Sequence, residues 1–194
     1  MESVQDKVGV DMATLRESEK IADVIIVEPQ TFGDDRGRFL ETYRRSWFPL
    51  GREMVQSSRS DKSAGSLVGL HYHLHQADYW YVVKGVAQVV LHDLRLGSAT
   101  EGATLEIEAG ENNQIGIFIP PGVAHGFAAL TDMTLTYLVD NYYNPSDELG
   151  VAWNDPEIGA DWKILNPVYS ERDANNPVKR EIKEYLLPRA VLRS

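Results

Sequence analysis

The chain lacks several features that would each place it in a particular class of protein. Its 194 residues include no cysteine, which excludes disulfide bonds and thiol catalysis. No apolar run approaches the roughly 18 residues that a membrane-spanning helix needs, so we expect no membrane span. The first twenty residues lack the apolar core of a secretion signal. A cytoplasmic location is the expectation that fits these absences.

Positive charge is also scarce. The 19 Lys and Arg residues stand against 29 Asp and Glu residues, which gives a formal net charge of −10. Such a chain repels polyanions, so we expect no nucleic acid partner. The hydrophobic content of 43% and the charged content of 25% are ordinary for a globular protein. We predict a polar N-terminal arm or tail over residues 1–20 and a single domain over residues 21–194.

Short apolar segments separated by turn residues run through most of the chain. This pattern is typical of an all-β antiparallel sandwich or barrel. We also predict a helical turn over Trp47–Leu50 and one short C-terminal helix over Val178–Leu187, begun by Asn176-Pro177 and ended by Pro188. The predicted strands cover Val24–Val27, Arg38–Tyr43, Met54–Ser58, Ser66–Leu74, Tyr79–Val83, Val86–Leu94, Thr104–Glu108, Gly116–Ile119, Gly126–Leu130 and Met133–Val139.

The histidines are clustered in the middle third of the chain. His71, His73 and His75 alternate along one segment, and residues two apart in a strand face the same side. His125 follows a proline–glycine turn further along, and His92 is predicted to be structural. Imidazoles that converge inside a small barrel suit general acid–base chemistry, metal binding, or both.

Several longer motifs occur in a characteristic order between about residue 22 and residue 190. They are Phe32–Gly37, Gly69-Leu70-His71-Tyr72, Asp93–Ser98, Ile119–Phe127, Tyr137, Asn141–Pro145, Trp153–Pro156 and Ser170–Ala174. With these motifs the chain resembles the dTDP-4-dehydrorhamnose 3,5-epimerases, a branch of the cupin-type jelly rolls. The resemblance implies a jelly-roll antiparallel β-barrel that acts on a nucleotide-linked, dTDP-type 4-keto-6-deoxyhexose. It implies an isomerase that inverts C3, C5 or both in deoxysugar biosynthesis, without a cofactor.

The same resemblance implies roles for individual residues. His71 matches the general base, Asp173 the carboxylate paired with it, and Tyr137 the acid that returns a proton from the opposite face. The residues predicted to bind substrate are Arg36 near the diphosphate, Tyr142 near the nucleotide base, His125 in the cavity, and His73, Asp78 and Arg172. It further implies a homodimer with exchanged N-terminal strands, in which Arg36 completes the site of the neighbouring subunit.

Several positions depart from the pattern of this family, among them Gln56-Ser57-Ser58 where it commonly has Gln-Asp-Asn. Val68 stands where the family usually has arginine, His73 where it has glutamine, and Asp78 where it has a lysine that polarises the ketone. A unit charge about 4 Å from a developing oxyanion is worth about 4 kcal/mol at an effective dielectric constant of about 20, so the loss of that lysine matters.

These departures leave two alternatives open. In the first, His71, His73, Asp78 and His125 bind a divalent transition metal, and the chain is a metal-dependent cupin isomerase, lyase or oxygenase. In the second, the chain binds a sugar nucleotide without catalysis.

Overall fold

The structure, a computed structural model, describes residues 12–48 and 52–190. Within these ranges the chain forms mainly short antiparallel strands, as the alternation of apolar and polar residues predicts. The strands are β1 (Ala13–Glu17), β2 (Ile25–Pro29), β3 (Thr31–Asp34), β4 (Gly37–Leu40), β5 (Gln56–Lys62), β6 (Leu67–Tyr72), β7 (Asp78–Lys84), β8 (Val86–Asp93), β9 (Thr104–Gly110), β10 (Gly116–Ile119), β11 (Val123–Ala129), β12 (Met133–Val139) and β13 (Leu149–Gly150).

Two sheets contain most of these strands. The six-stranded sheet has the order β1-β2-β10-β7-β12-β5, and the five-stranded sheet has the order β13-β6-β11-β8-β9. The ladders between the strands are antiparallel, and strands β3 and β4 form a separate hairpin. This arrangement confirms the predicted all-β, jelly-roll class.

The core lies between the two sheets. Strands of the six-stranded sheet contribute buried residues such as Trp80, Val82 and Leu135, and strands of the five-stranded sheet contribute Val89 and Phe127. Alternate residues of each strand point into this layer, which excludes water from most of its length. The outer face of the five-stranded sheet is covered by the C-terminal segments.

The predicted C-terminal helix over Val178–Leu187 is wrong. This segment contains two short 3₁₀ turns, Lys179–Glu181 and Glu184–Leu186, joined by extended residues. Ile182, one of the apolar residues on which the helix prediction rested, packs with Leu186 and Leu187 on the outer face of the five-stranded sheet. Tertiary packing therefore overrides the local helical preference. The α-helix of the described chain is α1 (Glu171–Ala174), a single turn.

The N-terminal region also differs from expectation. Residues 13–17 fall inside the segment predicted to be an arm, yet they form β1 and pair with β2 of the same chain. Residues 1–11 lie outside the described residues. The helical turn predicted over Trp47–Leu50 is observed as a 3₁₀ turn over Arg45–Trp47, and residues 49–51 are not described. No helix in the described ranges is long and apolar enough to cross a membrane.

Candidate active site

A cavity opens between the two sheets and is lined by residues from both. His71, His73 and His125 come from the five-stranded sheet and the loop after β6, while Asp78, Trp80 and Tyr137 come from β7 and β12 of the six-stranded sheet. Of the three catalytic candidates, His71 and Tyr137 line this concave surface, and Asp173 hydrogen bonds to His71. This is the arrangement expected of an active site rather than of scattered surface residues.

An irregularity in β6 places His71 in the cavity. His71 pairs with His125 of β11, and Val68 pairs with Phe127, so three steps along β6 match two along β11. Such a bulge lets Val68 and His71 both face the cavity, although strict alternation would separate them. Gly69 makes the bulge possible because its φ is +106° and an added Cβ would lie 2.7 Å from the carbonyl oxygen of His125.

Asp173 holds the imidazole of His71 from behind. His71 Nε2 lies 2.6 Å from Asp173 Oδ1, and the carboxylate is buried. Because Nε2 is engaged, Nδ1 is the ring nitrogen available to a substrate, and it makes no hydrogen bond within the described part of the chain. A carboxylate in this position fixes the tautomer of the imidazole and increases its basicity.

The start of α1 positions Asp173. The backbone N–H of Asp173 donates to Ser170 Oγ at 3.1 Å, and the Ser170 hydroxyl donates to Asp173 Oδ2 at 2.9 Å. Burial acts to raise the pKa of Asp173, but hydrogen bonds from His71, Ser170 and the backbone N–H of Gly69 outweigh it and hold that pKa below its usual value. The carboxylate is therefore ionised at neutral pH.

Tyr137 faces the cavity from the opposite sheet. It lies on β12 between Leu135 and Val139, which point to the same side and also line the cavity. Its neighbours across the ladders are Ser58 of β5 and Trp80 of β7. A phenol on one wall and the His71 imidazole on the other can address opposite faces of a bound ring.

A second group of titratable side chains lies in the same cavity. His73, Asp78 and His125 are buried, and one ligand atom from each lies within 4.8 Å of the others. His73 Nε2 is 3.8 Å from Asp78 Oδ1, and His125 Nε2 is 3.9 Å from Asp78 Oδ2. Burial lowers the pKa of His125, so its imidazole is neutral at neutral pH.

The described part of the chain supplies no Lys or Arg to the lining of the cavity. Asp78 and Glu148 both line it, and the Glu148 carboxylate is paired with Arg172 outside the lining. The cavity therefore differs from a site in which a lysine ammonium polarises a carbonyl group.

Comparisons with known proteins agree with this geometry. A sequence profile described as dTDP-4-dehydrorhamnose 3,5-epimerase matches residues 18–181. The chain belongs to the dTDP-4-dehydrorhamnose 3,5-epimerase family. It is accordingly an enzyme of the isomerase class. Membership of this family favours catalysis over the alternative of a non-catalytic binding protein.

Individual members of the family are similar over most of the chain. The dTDP-4-dehydrorhamnose 3,5-epimerase of Shigella flexneri is 36% identical over 164 residues, which are 80% of this chain and 91% of that protein. A Legionella pneumophila dTDP-6-deoxy-D-glucose-3,5-epimerase, solved with dTDP-4-keto-L-rhamnose, has a TM-score of 0.86 and 31% identity, and the match covers 93% of this chain and 100% of that one. A 3′-monoepimerase from Streptomyces bikiniensis, solved with dTDP-quinovose, has a TM-score of 0.83 and 30% identity, with 90% and 93% covered.

Three residues to which the resemblance assigned substrate binding do not line the cavity of their own chain, and for Arg36 this agrees with the expected role in the neighbouring subunit. Arg36 is at the tip of the β3–β4 hairpin, where its side chain is 90% exposed and paired with Asp34. Tyr142 is 74% exposed and is not among the described cavity residues; its neighbour Tyr143 is. Arg172 is not among the described cavity residues, but it pairs at 2.9 Å with Glu148, which is.

The prediction that His71, His73 and His75 face the same side is wrong for His75. Strand β6 ends at Tyr72, so the alternation stops there and His75 is exposed outside the cavity. His92 is buried away from the cavity, where its Nδ1 lies 2.9 Å from Thr104 Oγ1. The four-ligand metal set is corrected as well, because the group found among the described residues contains His73, Asp78 and His125 but not His71.

The sequence interpretation missed residues that the structure brings to the site. Gln76, Trp80 and Tyr143 line the cavity, and Asp147 supports it by accepting a hydrogen bond from His73 Nδ1 on its backbone carbonyl at 2.7 Å. Trp80 was predictable, because it lies two residues after Asp78 on the same strand and therefore on the same face. The other three come from loops, for which strand periodicity gives no signal.

Proposed function

We propose that this cavity binds a dTDP-linked 4-keto-6-deoxyhexose and inverts C3, C5 or both by proton removal and return, in deoxysugar biosynthesis. The support from relatives is direct, because two structurally similar family members were solved with dTDP-4-keto-L-rhamnose and dTDP-quinovose. One of these relatives is a 3′-monoepimerase, so the family includes enzymes that invert one centre.

The chemistry follows from the acidity of a C–H bond beside a ketone. Removal of that proton yields an enolate, and the configuration inverts when the proton returns from the other face. In the proposed mechanism His71 Nδ1 accepts the proton, Asp173 stabilises the imidazolium through Nε2, and the Tyr137 hydroxyl supplies a proton from the opposite wall.

One observation carries this proposal. His71, with Asp173 behind it, and Tyr137 arise from segments far apart in the sequence, yet His71 and Tyr137 border the same cavity from two facing sheets. Inversion needs a base and an acid on opposite sides of one carbon atom, and this arrangement supplies both.

Deuterium exchange tests the proposal. The protein is incubated with dTDP-4-keto-6-deoxyglucose in D₂O, and proton NMR follows the signals of H3 and H5. We expect one or both signals to disappear as deuterium enters, with new signals from the inverted sugar.

The matched control is His71→Asn, which retains a planar polar side chain but removes the base. Loss of exchange in this variant assigns the reaction to the cavity. Deuterium at C3 and C5 no higher in the wild type than in an enzyme-free sample would exclude the proposed reaction.

We further propose a homodimer in which Arg36 reaches the diphosphate in the site of the neighbouring subunit. The support is the position of Arg36 on a hairpin that joins neither sheet, with Phe32 and Phe39 exposed beside it. Exchange of N-terminal strands and the cytoplasmic location stay predictions, as does the proposed contact of Tyr142 with the nucleotide base.

A further inference from the structure

A buried carboxylate in the cavity has no Lys or Arg partner among residues 12–48 and 52–190. Asp78 is 4% exposed, and the donors to its two oxygens are the Gln76 amide at 2.9 Å and the Trp80 indole N–H at 3.1 Å. Both donors are neutral, and no Lys or Arg is among the described residues that line the cavity. A buried charge is costly unless it is paired or coordinates a metal.

The two neighbouring imidazoles each point an unprotonated nitrogen at this carboxylate. His73 Nδ1 donates to the Asp147 carbonyl oxygen at 2.7 Å, and His125 Nδ1 donates to the Val123 carbonyl oxygen at 2.9 Å. Each backbone carbonyl therefore fixes the proton on Nδ1 and leaves the lone pair on Nε2. A hydrogen bond of this type to the distal nitrogen is what orients metal-binding histidines in proteins.

We propose that His73 Nε2, His125 Nε2 and the Asp78 carboxylate bind one divalent first-row transition metal ion, such as Zn²⁺, Mn²⁺ or Fe²⁺. Two imidazoles and one carboxylate on one side of an ion leave further coordination positions open toward the cavity. His71 is not a ligand, because its Nε2 is committed to Asp173.

The donor atoms need only a small rearrangement to bind an ion. Metal–ligand bonds of about 2.0–2.2 Å place neighbouring donors roughly 3–3.5 Å apart. The His–Asp separations here are 3.8 and 3.9 Å, and the three donor atoms lie within 4.8 Å of one another, so they have to move closer together to bind an ion. The Gln76 amide nitrogen, which lies 3.2 Å from His73 Nε2 and 2.9 Å from Asp78 Oδ1, occupies the position between two ligands and has to withdraw.

The ion would give the cavity the electrophile that its side chains do not provide, an inference that rests on the proposed epimerase function. When His71 removes the proton, the C–H electron pair forms the carbon–carbon double bond and the carbonyl π pair moves to oxygen. An ion held by His73, Asp78 and His125 would stabilise that oxygen as a Lewis acid. The oxidation state of the ion would be unchanged; when Tyr137 protonates the carbon from the opposite face, the oxygen electron pair re-forms the carbonyl and the carbon–carbon π pair forms the new C–H bond.

Metal binding is tested independently of turnover. Protein purified without a metal-binding tag is analysed for its metal content, stripped with a chelator and titrated with Zn²⁺ by calorimetry. We expect about one ion per chain. Asp78→Asn keeps the shape and the hydrogen-bond acceptor oxygen but removes the charge, and we expect it to lower the affinity for Zn²⁺ at least about 100-fold.

Two control variants and a second ligand variant make the result specific. His75→Gln removes an exposed histidine of the same segment, and His71→Asn removes the base; both should bind Zn²⁺ as the wild type does. His125→Gln should weaken binding as Asp78→Asn does, and circular dichroism checks that each variant folds. Binding that is unaffected by Asp78→Asn and His125→Gln, or no binding in the wild type, would overturn the proposed site.

Turnover separates this inference from the proposed function. Full epimerase activity in chelated protein, with no metal detected, would overturn the Lewis-acid role and leave the epimerase proposal intact. Stoichiometric binding at His73, Asp78 and His125 without exchange on the keto sugar would support the metal site and contradict the epimerase proposal. Loss of exchange on chelation, with recovery on adding the ion, would support both.

Discussion

At the scale of single residues, the His71–Asp173 pair contributes most to the proposed chemistry. The 2.6 Å contact joins residues 102 positions apart in the sequence, and it selects Nδ1 as the reactive nitrogen. An amide in place of the carboxylate can donate a hydrogen bond to Nε2, which reverses the tautomer and leaves Nδ1 protonated. The reactive nitrogen then has no lone pair for the substrate proton.

This tautomer argument predicts the effect of changing Asp173. We expect Asp173→Asn to lower the rate of deuterium exchange about 10²- to 10⁴-fold, close to the loss in His71→Asn, with little change in binding of dTDP. Exchange rates by NMR and dTDP affinity by calorimetry measure the two effects. Glu171→Gln removes the same charge from an exposed position of the same turn and should leave the exchange rate unchanged. A rate for Asp173→Asn within twofold of the wild type would contradict the proposed pairing.

Tyr137 allows a sharper prediction, because the two faces of the sugar are served by different residues. In Tyr137→Phe the base remains, so His71 should still remove the proton and return deuterium to the same face. We expect exchange with retention of configuration, while inversion falls about 10²- to 10⁴-fold. NMR distinguishes the deuterated starting sugar from the inverted product.

The exposed phenol Tyr185 provides the control for this measurement, since Tyr185→Phe alters a tyrosine outside the cavity. Exchange and inversion reduced together in Tyr137→Phe, by the same factor, would argue against separate proton donors on the two faces.

At the scale of structural elements, an ion-pair network joins the two sheets near one end. Arg95 donates to Asp93 at the end of β8 and to Asp23 just before β2, at 2.8 Å in each case. Asp93 is completely buried and also accepts hydrogen bonds from the Ser98 and Thr100 hydroxyls. Burial acts to raise the pKa of Asp93, but these hydrogen bonds outweigh it and hold the pKa below its usual value.

Removal of the Asp93 charge should therefore destabilise the fold in a pH-dependent way. We expect Asp93→Asn to lower the free energy of unfolding by about 3 kcal/mol at pH 7. Because the folded pKa is depressed, the contribution of Asp93 is complete above its unfolded pKa of about 3.9 and is lost as the pH falls through the folded pKa. The difference between wild type and variant should thus be constant above about pH 5 and shrink below pH 4.

Urea unfolding between pH 7 and pH 3 measures this difference. Arg189→Gln breaks an exposed ion pair with Glu184 and should change the free energy of unfolding by less than about 1 kcal/mol. A difference for Asp93→Asn that grows as the pH falls would show that the sign of the argument is wrong.

At the scale of the whole molecule, the β3–β4 hairpin leaves apolar side chains exposed that the rest of the described chain does not cover. It pairs with neither sheet, and Phe39 at 62% exposure and Phe32 at 41% present apolar surface beside Arg36. Two exposed phenylalanines on an isolated hairpin fit a contact with a second copy of the chain. The proposed dimer would carry Arg36 toward the neighbouring cavity, which has no cation of its own among the described residues.

Sedimentation velocity tests the dimer. We expect a particle of twice the 21.8 kDa chain mass, and we expect Phe39→Ser to shift it toward the monomer with a parallel loss of turnover. Arg36→Gln should leave the mass unchanged and raise KM, because the proposed role of Arg36 is to bind the diphosphate. Leu165→Ser, at a highly exposed apolar position, is the control. A wild-type monomer at all concentrations would exclude the dimer.

Local patterning determined the fold class of this protein. The alternation of apolar residues and the turns between them predicted most strands, including β10 and β12 with their observed bounds, because strand formation and turn chemistry depend on neighbouring residues. The ordered motifs also identified the family and named His71, Asp173 and Tyr137 as its site residues. Where local preference and packing disagreed, as over Val178–Leu187, the prediction of a helix was wrong.

Tertiary structure alone decided how the side chains meet. The bulge at Gly69, the end of β6 before His75, and the grouping of His73, Asp78 and His125 all depend on contacts between strands and loops that are distant in sequence. Periodicity within one segment says which face a residue occupies, but it does not say where the strand stops or which segment lies opposite. That limit is why Gln76, Tyr143 and Asp147, which loops bring to the cavity, were not predicted.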